Sequence, residues 1–222
     1  MIIENFNREY LKYLFPQRTR LTTEYSLTES SEQSEIDEAI TTMVQKDFDM
    51  IKNFLPARCS SILDVGCGLA LINIFLSNMY DQPDVYLLDK TELDANKISG
   101  FNEKYKFYNS MNAAKEILLQ NNVSSDRIHL YEAGEHSELY ENKYDVICSL
   151  LSCGWHYSVN TYIDLFKETL SDDGVLVLDI RHDTDQVKFL GEDFVLVEQI
   201  YNYAESKHTG GNIGDRYIFR KK

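Results

Sequence analysis

Leu63-Asp64-Val65-Gly66-Cys67-Gly68-Leu69-Ala70 is the stretch that decides the fold. It joins a short apolar run, SILDV at 61–65, to a helix-like run, ALINIFLSNMY at 70–80. Gly66 and Gly68 lack a Cβ, so the chain can turn sharply there and a ligand can approach the backbone closely. A strand that passes through a glycine turn into a helix is the opening unit of a doubly wound α/β sheet.

Outward from this turn the same alternation continues. VYLLD (85–89), RIHLYEA (127–133), YDVICSLLS (144–152) and GVLVLDI (174–180) read as strands. Helical patterns lie between them at 112–123, with Ser110 or Asn112 as cap, and at 160–170, closed by Ser-Asp-Asp-Gly at 171–174. The near-continuous apolar strands predict a parallel sheet buried on both faces. FVLVEQIYNY (194–203) and RYIFRK (216–221) are joined by a loop too short for a crossover helix, which predicts an antiparallel pair. The expected fold class is therefore α/β: a Rossmann-like, mostly parallel, doubly wound seven-stranded sheet ending in an antiparallel hairpin. Upstream, a helix is expected from Ser34, with Ser34 as N-cap and Asp37 answering it, to Leu55 before Pro56. The chain accordingly divides into an N-terminal helical extension, 1–58, and a core, 59–222.

The chain has 222 residues, 43% hydrophobic and 26% charged, enough for one soluble domain with an added lid. Its net charge of −14 gives no general attraction to phosphate backbones or anionic membranes, and the densest basic run is only Arg220-Lys221-Lys222. No nucleic-acid or membrane partner is expected. No apolar stretch approaches the roughly 18–20 residues that span a bilayer, and MIIENFNREY does not read as a signal peptide. Cys59, Cys67, Cys148 and Cys153 show no paired spacing and read as reduced thiols of a cytoplasmic protein. No metal site is expected.

The glycine turn carries the chemistry. The helix after it offers free N–H groups and a positive dipole end. Asp89 ends the second strand about 20 residues after Gly68, where an acid can accept hydrogen bonds from ribose hydroxyls. A dinucleotide site asks for a third glycine at position 71, which is Leu71. Asp64, two residues before Gly66, instead suits a ligand with an amine or sulfonium, such as S-adenosylmethionine.

On these residues the sequence resembles the class I S-adenosylmethionine-dependent methyltransferases. LDVGCGLA is similar to their motif I, VYLLD to their second motif, RIHLYEAGE to their third strand and adenine-side turn, YDVICSLLS to motif IV, and SDDGVLVLDI to the fifth strand. The closing hairpin is what that family adds to the Rossmann pattern. The resemblance covers roughly 59–222 and implies S-adenosyl-L-methionine held by Asp64, Gly66, Cys67, Gly68, Leu69, Asp89, Lys90, Leu150 and the turn Ala133-Gly134-Glu135. That turn departs from the family's frequent aspartate and leaves open which residue meets the adenine amine.

Methyl transfer is an in-line displacement, so the protein must align the acceptor, exclude water and, for a hydroxyl, take a proton. After the fourth strand, His156 is a candidate base or a cap for the next helix, and Trp155 and Tyr157 are candidate walls of the acceptor pocket. After the fifth strand, His182 is the alternative base, Arg181 can hold an anionic acceptor group, and Asp179 can orient either one. The chain lacks the Asn/Asp-Pro-Pro-Tyr string of DNA amine methylases. SLLSCGWHY and LDIRHDT look more loosely like bacterial sugar O-methyltransferases. The expectation is O-methylation of a small molecule or sugar hydroxyl. The competing readings are a non-catalytic cofactor-binding partner subunit and a nicotinamide-dependent reductase. The extension and the insertion at 90–109 suit either lids or a homodimer contact.

Overall fold

In the computed structural model the described residues are all except 1, 15–20, 22–23, 29, 92–108, 135, 202–204, 207–210 and 213. Seven strands build the sheet: β1 (Ser61–Val65), β2 (Asp84–Asp89), β3 (Ile128–Glu132), β4 (Tyr144–Ser149), β5 (Leu170–Arg181), β6 (Phe194–Ile200) and β7 (Gly214–Lys221). Their order is β3-β2-β1-β4-β5-β7-β6. The first five are mutually parallel; β7 runs antiparallel between β5 and β6. The expected α/β sheet with its closing hairpin is therefore present. A two-residue strand pair, Glu205–Ser206 with Gly211–Asn212, decorates the hairpin connection.

Alternation along each strand sends side chains to two separate cores. Ile62, Val146, Val177 and Ile218 pack with helices α1 (Gln33–Ile51), α2 (Leu71–Met79) and α3 (Met111–Gln120). Leu63, Ile147, Leu178 and Phe219 pack on the other face with α4 (Ile163–Thr169). A fully buried apolar side chain in such a layer stabilises by about 1.5–3 kcal/mol.

Several boundaries differ from expectation for local reasons. Helix α1 starts at Gln33 with a Glu32/Glu35 capping box, not at Ser34. Asp37 instead accepts the N–H groups of Asn5 and Phe6, at 2.9 and 3.0 Å. That holds the N-terminal segment across α1 and buries Ile3 and Phe6. Ser110 is the cap of α3, accepting from Ala113 N–H at 3.2 Å. The 160–170 pattern splits into a 3-10 turn, Val159–Thr161, and the shorter α4. Residues 171–174 are absorbed into β5, because Leu170 already pairs with Tyr144 and a bulge takes up the excess before Val146 meets Val175. β4 stops at Ser149, and Leu151 turns the chain with φ 54°.

Candidate cofactor cleft and acceptor site

β1 and β4 are adjacent, and the chain after each leaves the sheet at its carboxyl edge. Ser149 fixes the relation of the two turns: its hydroxyl donates to Val65 O at 2.6 Å and accepts from Cys153 N–H at 2.8 Å. Ser152 thereby comes to lie across Gly66. A Cβ on Gly66 would sit 1.7 Å from Ser152 Oγ and 2.9 Å from the Tyr157 hydroxyl, and φ is 70°. Gly66 is glycine because the neighbouring loop occupies its side-chain space.

Gly68 differs. Its φ is 55°, and a Cβ there would meet nothing within 4 Å among the described residues. Its N–H donates to Asp89 Oδ2 at 2.8 Å, and Lys90 N–H donates to Asp89 Oδ1 at 2.7 Å. Burial pushes the Asp89 carboxyl up to about 6, with Glu132 adding repulsion, while the two N–H groups oppose that rise. At neutral pH the group is ionised and set to accept hydroxyl donors. Ala133 N–H donates to Asp89 O at 2.9 Å, which brings the β3 turn alongside. Gly134 in that turn likewise has none of the described residues within 4 Å of its Cβ side. The result is a cradle with Gly68 as floor and Asp89 and Gly134 along one side.

Aromatic side chains border the cradle as well, and Gly134 N–H donates to His136 Nδ1 at 3.3 Å. The Tyr157 hydroxyl lies 2.9 Å from Ser152 Oγ. The Tyr157 ring meets Tyr162 edge-on at 5.8 Å, and Tyr162 meets His136 at 5.4 Å. Tyr162 and His136 were not among the expected site residues. Tyr162 lay hidden in the helix pattern of 160–170, and His136 in a turn read only for its acids.

Other expected residues fall as follows. Asp64 shares its face of β1 with Ile62, so its carboxyl points under α2, not into the cradle. It is 3% exposed, and its Oδ2 accepts from Asn73 Nδ2 at 2.6 Å. Burial pushes it up to about 7, opposed by hydrogen bonds from Asn73 and Cys148. Leu69 is buried, Lys90 is exposed, and Leu150 packs on the first core. Cys67 Sγ lies 3.8 Å from Met111 Sδ, and burial pushes its thiol well up. Glu135 lies outside the described residues.

At the ends of β4 and β5, Trp155 is buried over Gly214, where a Cβ would come within 2.4 Å of its ring. His156 is 7% exposed, and burial, with the Arg181 charge adding, pushes it down to about 4. The Arg181 guanidinium closes on Asp183 through two bonds of 2.8 and 2.5 Å. His182 is not oriented by Asp179. Its Nε2 lies 2.8 Å from Asp215 Oδ1, whereas Asp179 is paired with Arg216. Asp215 was missed because its role depends on β7 lying beside β5. An antiparallel strand placed there brings an acid near its start opposite the end of β5, which is the signal the sequence offered. Among the described residues no group of three or more His, Cys, Asp or Glu is placed to hold a metal. Among them, too, no helix is long and apolar enough to cross a membrane.

The strand order and the reversed last strand are those of the class I S-adenosylmethionine-dependent methyltransferase fold. Among solved structures, the chain is similar to a precorrin-6y C5,15-methyltransferase from Geobacter metallireducens GS-15 (TM-score 0.51, 17% identity, covering 84% of this chain and 89% of that one). It is also similar to StiE O-MT residues 961–1257 (TM-score 0.59, 13% identity, covering 100% and 83%). A third is the Bacillus subtilis M1A22 tRNA methyltransferase TrmK (TM-score 0.51, 14% identity, covering 80% and 66%). No protein-family model matches the chain, and no curated protein matches it in sequence.

Proposed function

We propose that this chain is an S-adenosylmethionine-dependent methyltransferase that methylates a hydroxyl of a small molecule, with a histidine at the ends of β4 and β5 taking the proton. The observation that carries the reading is the Gly68–Asp89 contact of 2.8 Å beside an open cradle. Gly68 gives the backbone surface, and ionised Asp89 accepts from a ribose. Gly134 borders the adenine side, and Tyr157 and Ser152 close the cleft over Gly66. S-adenosylmethionine, when bound, supplies an electrophilic methyl carbon whose bonding pair leaves with the sulfur as the acceptor oxygen forms the new C–O bond.

The charge of −14 disfavours a nucleic-acid acceptor. The bidentate Arg181–Asp183 pair satisfies the guanidinium fork internally, which favours an uncharged acceptor over a phosphorylated one. The neighbour named as an O-methyltransferase domain aligns with the whole chain, extension included. Four free cysteines fit a reducing cytoplasm. Residues 1–58, attached through α1, are read as the acceptor-side lid.

Calorimetry with S-adenosylhomocysteine and with NADH tests the cofactor. One-to-one uptake of the first and none of the second is expected; the reverse overturns the reading. Transfer of labelled methyl from S-adenosylmethionine to a panel of uncharged phenols, polyols and glycosides then tests the acceptor class.

A further inference from the structure

We infer that His182 is the proton-accepting group of the acceptor site and that Asp215 and Gln199 are its positioning residues. This rests on the methyltransferase reading above and adds to it the identity of the base.

Asp215 is 3% exposed, and a buried carboxylate is costly unless its oxygens are bonded. Both are. Oδ1 lies 2.8 Å from His182 Nε2, and Oδ2 accepts from Gln199 Nε2 at 2.7 Å. The fold assembles this array from three strands. Ile180 of β5 pairs with Asp215 of β7, so the acid sits beside the end of β5, two residues before His182. Gln199 of β6 pairs with Tyr217, two residues along β7 and on the same face as Asp215. A bulge between Leu196 and Glu198 shifts the register so that Gln199 comes to that face. Gln199 Nε2 also donates to the Tyr217 hydroxyl at 3.1 Å, which fixes its amide.

The arrangement sets the chemistry of the imidazole. A ring nitrogen facing an ionised carboxylate carries the proton, so the neutral ring keeps its lone pair on Nδ1. Nδ1 receives the proton that the acceptor hydroxyl gives up as its oxygen lone pair enters the new C–O bond. The positive charge then resides on the ring beside Asp215, and the proton passes to solvent from a side chain that is 37% exposed. His156 is less suited: it is buried and carries the Arg181 charge against it.

The residues that precede Asp215 and His182 in the chain contact the loop after β4. Trp155 covers Gly214, the residue before Asp215, and Arg181 N–H donates to Gly154 O at 3.2 Å. Both tie the array to the loop whose Ser152 and Tyr157 lie over Gly66.

The test uses full-length protein labelled with ring-15N histidine, with H182Q assigning the signal. In the free protein His182 is expected to be protonated on Nε2 in its neutral form. D215N and Q199A are expected to produce a mixture of tautomers. S-adenosylhomocysteine is expected to move the His182 resonances and to bind both variants with wild-type affinity, which also shows that they are folded. On an acceptor found in the panel above, H182Q lowers kcat about 100-fold or more, and Q199A lowers kcat by a smaller factor, each with KM for S-adenosylmethionine unchanged. Nδ1 protonation in the wild type, tautomers indifferent to D215N and Q199A, or ligand uptake that moves His156 and leaves His182 unmoved overturns the assignment. Failure of the wild type to take up S-adenosylhomocysteine removes the underlying methyltransferase reading instead.

Discussion

Arg216 and Asp179 form a bidentate ion pair with both side chains at 0% exposure, Nε to Oδ1 at 2.7 Å and the second guanidinium nitrogen to Oδ2 at 3.0 Å. The pair is a junction as well as a bond. Asp179 Oδ2 also accepts from Leu151 N–H at 3.1 Å, at the left-handed turn that starts the loop over Gly66. The Arg216 guanidinium also donates to Asp47 O of α1 at 3.2 Å. One buried cation thus connects the N-terminal extension, strands β5 and β7, and the loop after β4.

Removing one partner leaves the other charge buried and uncompensated. Arg216→Ala is expected to cost about 3–5 kcal/mol, read by urea unfolding. The double variant R216M/D179N, which removes both charges, is expected to recover part of that loss. Equal loss in both would mean that the pair contributes packing only.

The two motif glycines should fail in different ways. Gly66→Ala places a methyl 1.7 Å from Ser152 Oγ, so the fold is expected to be strongly destabilised, and S152G is expected to relieve it in part. Gly68→Ala meets none of the described residues within 4 Å and carries the left-handed backbone cost of about 1–2 kcal/mol. It should fold and lose S-adenosylhomocysteine affinity. Thermal melts paired with calorimetry separate the two outcomes.

On the proposed reading, Asp89 is expected to make cofactor binding depend on pH. Its carboxyl is raised by burial to about 6, and the proposed role as acceptor of ribose hydroxyls calls for the ionised form. A ligand that donates to the charged form lowers the pKa in the complex. Affinity for S-adenosylhomocysteine is therefore complete above about pH 6 and declines as pH falls through that value. Asp89→Asn is expected to weaken binding by roughly 10-fold or more, about 1.4 kcal/mol, and to flatten this profile between pH 5 and 8.

Asp64 affects stability with a defined sign. Burial raises its pKa in the folded state to about 7, above the ordinary carboxyl value of 3.8, so the folded state holds its proton more tightly than the unfolded one. The contribution is complete below about pH 3.8 and is lost as pH rises through about 7. Asp64→Asn keeps an acceptor for Asn73 and carries no proton. The stability of the variant relative to wild type should rise between those limits by at most on the order of 4 kcal/mol, measured by denaturation at fixed pH values.

The sequence by itself determined the layered architecture, the cradle and the late hairpin. These follow from local causes: apolar runs of strand length, Gly66 and Gly68 at a strand–helix junction, Asp89 at the end of the next strand, and a hairpin connection too short for a helix. Asp64 shows where that reading ends. It lies in the motif beside Gly66, yet the parity of β1 turns it beneath α2 onto Asn73. Only the tertiary structure decided which acid stands behind which histidine. Asp179 is three residues from His182 but is committed to Arg216; Asp215 is 33 residues away but lies 2.8 Å from the ring. Sequence spacing predicts contacts within an element, whereas contacts between strands depend on pairing register, and a single bulge in β6 changes which side chains share a face.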